Sequence, residues 1–149
     1  MGTATKEKER MGKVKVTLAL ANSADEEIAR RRLIKRNAIR RVEIEAVVDT
    51  GATQLVLPAK VAKALGLRRL GRVWVRSANE ARAMRDIVGG VTLRLMGRIV
   101  TVDAIVEPDK EYALLGQIPL EGLDLHVDPR GQRLIPNPES PDMPLAEMQ

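Results

Sequence analysis

Ala46-Val47-Val48-Asp49-Thr50-Gly51-Ala52-Thr53-Gln54-Leu55-Val56-Leu57-Pro58 is the stretch on which the fold reading turns. It sets one acidic residue between two aliphatic runs. A carboxylate at the end of a buried strand is costly unless it is hydrogen-bonded or shares its proton. Gly51 lets backbone come close to the acid, and the Thr50 hydroxyl can bond main chain and fix the loop. Asp, Thr and Gly are also common in plain surface turns, so the tripeptide alone decides nothing.

Working outward, Val42, Ile44, Ala46 and Val48 alternate with Arg41, Glu43, Glu45 and Val47, a strand that delivers the chain to Asp49. Upstream, Val14, Val16, Leu18 and Leu20 alternate with Lys13, Lys15, Thr17 and Ala19, a half-buried strand over 13–21 ended by Asn22-Ser23. Between them, 24–37 stays open: Ser23 and Glu26 have the spacing of a capping box for a short helix, but the charged register suits an irregular excursion nearly as well. Residues 1–11 read as a polar, disordered leader with no signal peptide.

Downstream, Leu55 to Leu57 is a second apolar run. Pro58 suits the first position of a helix over 59–65, with Gly66 as its stop. Strands are expected at 72–77 and 83–88, around the polar segment 78–82, and Gly89-Gly90 is expected to break the pattern. Residues 91–96 and 98–107 read as a hairpin turning at Gly97. Then come a turn at 108–110, a short strand ending at Gly116, a brief helix over 118–123, and two strands joined by a turn at Asp128-Pro129-Arg130-Gly131. Pro136, Pro138, Pro141 and Pro144 mark an extended or disordered tail over 137–149. The domain proper spans 12–136, mainly β with one or two short helices.

The 149 residues suffice for one self-sufficient core. With no Phe, one Trp and one Tyr, that core must be aliphatic. The absence of Cys excludes disulfides, thiolate metal sites and a thiol nucleophile. No apolar run approaches the roughly 20 residues of a bilayer span, and the chain reads as cytoplasmic. The net charge of +5 gathers around Arg30, Arg31, Arg32, Lys35, Arg36, Arg40 and Arg41. Interleaved Glu residues and the scarcity of aromatics favour a solvated, salt-bridged face over a nucleic-acid surface. His126 reads as a surface or interface residue, Asp103 and Asp124 as buried structural acids. No His cluster suits a metal, and no Gly-rich loop suits a nucleotide phosphate.

Val47-Val48-Asp49-Thr50-Gly51-Ala52-Thr53 resembles the active-site loop of retropepsins and their cellular relatives. Ala113-Leu114-Leu115-Gly116 resembles the family's second signature, two aliphatic residues and a glycine before a short helix, and Val75 to Val88 matches its flap hairpin. Arg40 to Pro58, Leu65-Gly66-Leu67 and Leu114 to Pro138 are similar to prokaryotic members of this clan of aspartic peptidases. The flap tip departs from the family: Ser77-Ala78-Asn79-Glu80-Ala81 lacks the usual glycine, although Asn79 tolerates a tight turn.

The resemblance implies an acid-protease barrel that works as a C2 homodimer, since the sequence holds a single Asp-Thr-Gly. It implies Asp49, Thr50 and Gly51 as catalytic residues, and Ala52, Ser77, Ala78, Asn79, Glu80, Leu114, Leu115 and Gly116 as substrate-binding residues. Neither metal nor organic cofactor is implied. The substrate would be an extended peptide beneath two flaps. Ala52 stands where most pepsins have Ser and offers no hydroxyl to the outer carboxylate oxygen, which implies a less acidic pH optimum than theirs. Two further readings stand beside this one: a non-catalytic relative that binds peptides in the same groove, and nucleic-acid binding through residues 30–41.

Overall fold

The alternating stretch near the N-terminus forms β1 (Lys15–Asn22), with Leu18 and Leu20 turned into the interior. The computed structural model describes residues 13–76, 79 and 81–148. Helix α1 (Ser23–Arg30) follows directly, but its cap lies one residue before the expected Ser23. The Asn22 side chain accepts from Asp25 N at 3.0 Å and donates to Leu65 O at 2.8 Å. An amide serves both contacts at once, whereas the Ser23 hydroxyl points elsewhere and donates to Gly90 O. After α1 the chain is irregular apart from a 3-10 turn at Arg36–Ala38, so the excursion is partly helical.

β2 (Arg41–Val48) runs antiparallel to β1, from Lys15 opposite Val47 to Ala21 opposite Arg41. β3 (Leu55–Pro58) leads into α2 (Ala59–Ala64); Pro58 closes the strand and caps the helix rather than opening it. β4 (Arg68–Arg76) and β5 (Arg82–Leu95) form a hairpin, and β6 (Arg98–Glu107) returns antiparallel to β5. β7 (Ala113–Leu115), α3 (Gln117–Leu123), β8 (Leu125–Asp128) and β9 (Arg133–Pro136) complete the chain.

Six strands close on themselves in the order β1-β2-β7-β3-β6-β5, with β5 pairing back to β1 and β4 lying outside on β5. Two neighbouring pairs, β2 with β7 and β3 with β6, are parallel. The expected break at Gly89-Gly90 is instead a bulge within one 14-residue strand. Before the bulge β5 pairs with β4; after it, Val91 to Arg94 pair with β1. A bulge bends the strand, which lets one strand serve both the hairpin and the barrel. A Cβ on Gly89 would lie 2.0 Å from Asp103 Oδ1, so that side chain would have to swing away. The strand expected at 72–77 starts earlier, at Arg68, because the consecutively exposed Arg68, Arg69 and Leu70 leave no alternating signal.

The core is aliphatic, as the composition requires. Leu18, Leu20, Leu55, Leu57, Leu93 and Leu115 are essentially inaccessible and join Val91, Ala46 and Ala104 in one cluster. Among the described residues, β8 and β9 pair only with each other. The segment after Pro136 is tied down despite its prolines: Asn137 and Ser140 bond the Asp124 carboxylate through their side chains, and Leu145 bonds it through its N–H.

Candidate active site

β2 and β7 lie side by side and parallel in the barrel wall, with Val47 opposite Leu114 and Val48 opposite Leu115. Their C-terminal ends carry the two sequence signatures into contact. Asp49 N donates to Leu115 O at 3.0 Å, so the acid starts its loop while still held by the sheet. Leu115 is buried in the core, and what it offers the loop is this carbonyl. Leu114, half-buried, also pairs with Val56 of β3.

Within the loop, Gly51 N donates to Asp49 Oδ1 at 2.9 Å and Ala52 N donates to Asp49 O at 3.1 Å. The first bond orients the carboxylate by its own backbone. A Cβ on Gly51 would stand 3.2 Å from Asp49 Oδ1, tighter than ordinary contact, so glycine keeps that approach open. Asp49 and Ala52 are partly accessible and Thr50 and Gly51 exposed, so this edge of the barrel faces outward.

The start of α3 locks the loop from the other side. Gln117 N donates to Ala52 O at 2.9 Å and Ile118 N donates to Thr53 O at 2.8 Å. These are helix-terminal N–H groups with no partner inside the helix, and the loop carbonyls satisfy them. Gly116 makes the approach possible: a Cβ there would lie 2.4 Å from Gln54 O and 2.7 Å from Ala52 O, both backbone atoms. The Gln117 side chain adds a further tie, Nε2 donating to Thr50 O at 2.8 Å. Sequence reading did not single out Gln117. Its only signal was its place directly after Leu114-Leu115-Gly116.

Of the expected flap residues, Ser77, Ala78 and Glu80 lie outside the described residues. Asn79 is exposed at the hairpin tip, where its Oδ1 accepts from Ala81 N at 3.2 Å, the self-capping turn open to Asn without glycine. Just below it the Arg82 guanidinium lies 5.3 Å from the Trp74 ring centroid, a cation–π pair bridging the two strands. The two acids expected to be buried sit apart from the loop: Asp103 is instead exposed on β6, and Asp124 is half-buried within the tail contacts. His126 is exposed on β8.

A closed six-stranded barrel with a projecting hairpin, and an Asp-Thr-Gly loop locked to a Leu-Leu-Gly-helix element, defines a retropepsin-like aspartic protease fold. A family model described as gag-polyprotein putative aspartyl protease matches residues 37–121, more than half of the chain, and the chain belongs to that family. Among solved structures it is similar to EIAV protease in complex with the inhibitor HBY-793, at 16% identity and a TM-score of 0.54 over 74% of this chain and 88% of that one. It is also similar to the simian foamy virus (mac) protease, at 20% identity and a TM-score of 0.41 over 52% of this chain and 80% of that one. The retroviral protease-like domain of Ddi1 from Leishmania major matches at 17% identity and a TM-score of 0.47, over 71% and 82%. The EIAV likeness bears on the fold. A search of curated proteins finds no match.

Proposed function

We propose that the chain is a homodimeric aspartic endopeptidase whose active site pairs Asp49 of two subunits. The observation that carries this reading is the doubly locked loop, which holds the Asp49 carboxylate against Gly51 N at the accessible end of β2. One loop supplies one carboxylate, so a C2 partner supplies the second. Two carboxyls about 3 Å apart share one proton and titrate as a pair.

The ionised member takes a proton from a water positioned between the two, and the resulting hydroxide bonds to the scissile carbonyl carbon. The protonated member gives its hydrogen to the carbonyl oxygen as charge builds there. Collapse of the tetrahedral intermediate breaks the C–N bond and a proton passes to the leaving nitrogen, giving an acid and an amine. An extended peptide fits beneath the β4–β5 hairpins, with aliphatic side chains flanking the cut. Ala52 leaves the outer carboxylate oxygen without a hydroxyl donor, which supports an optimum less acidic than pepsin's; a rate maximum below about pH 3 contradicts it.

The test compares wild type with Asp49→Asn on a peptide library across pH, with and without a statine-type inhibitor. Cleavage that is inhibitor-sensitive and absent from the variant supports the enzyme. Binding of peptides without cleavage by either protein supports a second reading, a peptide-binding relative, which the glycine-free sequence at the hairpin tip favours.

A further inference from the structure

The excursion between β1 and β2 builds a second concave feature, far from Asp49. The end of α1, the 3-10 turn and the first residue of β2 enclose a cleft of about 850 Å³. It adjoins a smaller hollow of about 430 Å³ that shares Glu26, Arg41 and Arg94 with it. Arg41 opens the eight-residue β2 and Asp49 directly follows its last residue, a separation of roughly 25 Å at strand rise. The cleft is therefore distinct from the Asp49 loop.

Its charges are not balanced. Arg94 pairs with Glu26 at 2.8 Å, and Arg30 and Arg31 share Glu27. Among the described residues no carboxylate pairs with Arg32, Lys35, Arg36 or Arg41, all of which line the cleft. Arg32 closes α1 with a left-handed backbone, φ 63°, at the position where helices prefer glycine. An arginine there sets a cation at the mouth of the cleft at a conformational cost. Leu33 beside it is 74% exposed, and Ile34 and Ile39 continue an aliphatic lining.

We infer that this cleft binds an acidic peptide segment carrying aliphatic side chains. Four cations without a carboxylate partner among the described residues attract carboxylates, and Leu33, Ile34 and Ile39 receive the apolar side chains between them. Nucleic acid fits less well, because no aromatic ring among the described residues lines the cleft to stack on a base. A compact phosphate ligand fits less well too, because no glycine among them lines it to form a cradle of backbone N–H groups. On the proteolytic reading proposed above, the cleft acts as an exosite that recruits protein substrates with acidic stretches outside the cut; binding itself does not depend on that reading.

The probe is a fluorescein-labelled Glu/Leu peptide titrated by anisotropy into the Asp49→Asn protein, which removes turnover from the measurement. Saturable, salt-sensitive binding that weakens about tenfold or more in Lys35→Glu/Arg36→Glu supports the inference. Circular dichroism checks that the variant is folded. No binding, equal binding of a Lys/Leu peptide, or undiminished binding by the folded variant overturns it. So does displacement of the peptide by a tighter-binding oligothymidylate, which would mark a nucleic-acid surface instead. With Asp49 intact, joining the acidic segment to a cleavable neutral peptide lowers KM by a similar factor. The charge-reversed variant loses that gain and still cleaves the neutral peptide. Anisotropy binding without any cleavage means that the exosite stands and the protease reading fails; cleavage without binding means the reverse.

Discussion

Gln117 shows how much of the Asp49 loop's geometry is set from outside the loop. Its Nε2 holds Thr50 O and its N–H holds Ala52 O, fixing both sides of Gly51 from a strand–helix junction distant in sequence. On the proteolytic reading it is a positioning residue: it touches the loop, not the substrate. Gln117→Ala frees the Thr50 carbonyl, and kcat is expected to fall about tenfold, the order of cost of small misplacements near the chemistry. KM should stay within about twofold, because the substrate groove is untouched. A change in KM with kcat intact contradicts the positioning role. Gly116→Ala tests the same junction through stability. The added Cβ meets backbone oxygens that cannot rotate away, so a loss of about 3 kcal/mol by urea unfolding is expected. Asp49, Thr50 and Gly51 stood out in the sequence because an acid between two aliphatic runs is locally anomalous and the longer stretch resembles a known active-site loop. Gln117 was not, because nothing in its own neighbourhood reveals which carbonyl its amide will reach.

At the scale of elements, alternation found the barrel strands and missed what ties them together. Gly89-Gly90 reads as a break in the pattern because two glycines look the same whether a strand stops or bends. The proline-rich segment reads as an extended or disordered tail because composition counts the missing donors and not the acceptors that await the remaining ones. Here Asp124, in a left-handed conformation at the end of α3, gathers Ser140, Leu145 and Asn137. These hydrogen bonds, the Ser140 hydroxyl first, pull its carboxyl from 3.8 down to about 2, against a small opposing effect of burial. A carboxyl lowered on folding stabilises the folded state fully above its unfolded pKa, and that contribution fades as pH falls through the folded value. The difference in urea midpoint between wild type and Asp124→Asn is therefore expected to be constant above about pH 5 and to shrink as pH falls from about 4 toward 2. A difference that does not change over that range contradicts the assignment. Buried Arg98 backs the same junction, donating to the carbonyls of Leu123, Asp124 and Ser140. Arg98→Ala leaves those acceptors unpaired and should cost about 3 kcal/mol, with earlier proteolytic nicking between residues 137 and 148.

For the whole molecule, the composition fixed an aliphatic core, and the strand pattern fixed a β-rich domain; closure of the sheet came from pairings between residues far apart, which no local pattern reveals. The closed barrel uses up the sheet edges on one side and leaves β4 as an outer strand on the projecting hairpin. What a single barrel does not supply is a second Asp-Thr-Gly loop, and this makes the proposed activity depend on concentration in a way that a self-contained enzyme's does not. If only a pair of subunits cleaves, the rate follows the dimer concentration: on dilution below the dimer dissociation constant, a plot of log rate against log protein steepens from a slope of about 1 to about 2. Mixing gives a sharper test. An equal amount of Asp49→Asn protein, allowed to exchange fully, converts wild-type pairs into mixed ones and should cut total cleavage to about half, because a mixed pair lacks one of the two titrating groups. Independent subunits would leave the rate unchanged under the same addition. Sedimentation of the mixture fixes the pairing that the kinetics report, so an unchanged rate in a fully exchanged dimer would mean that each Asp49 works without its twin.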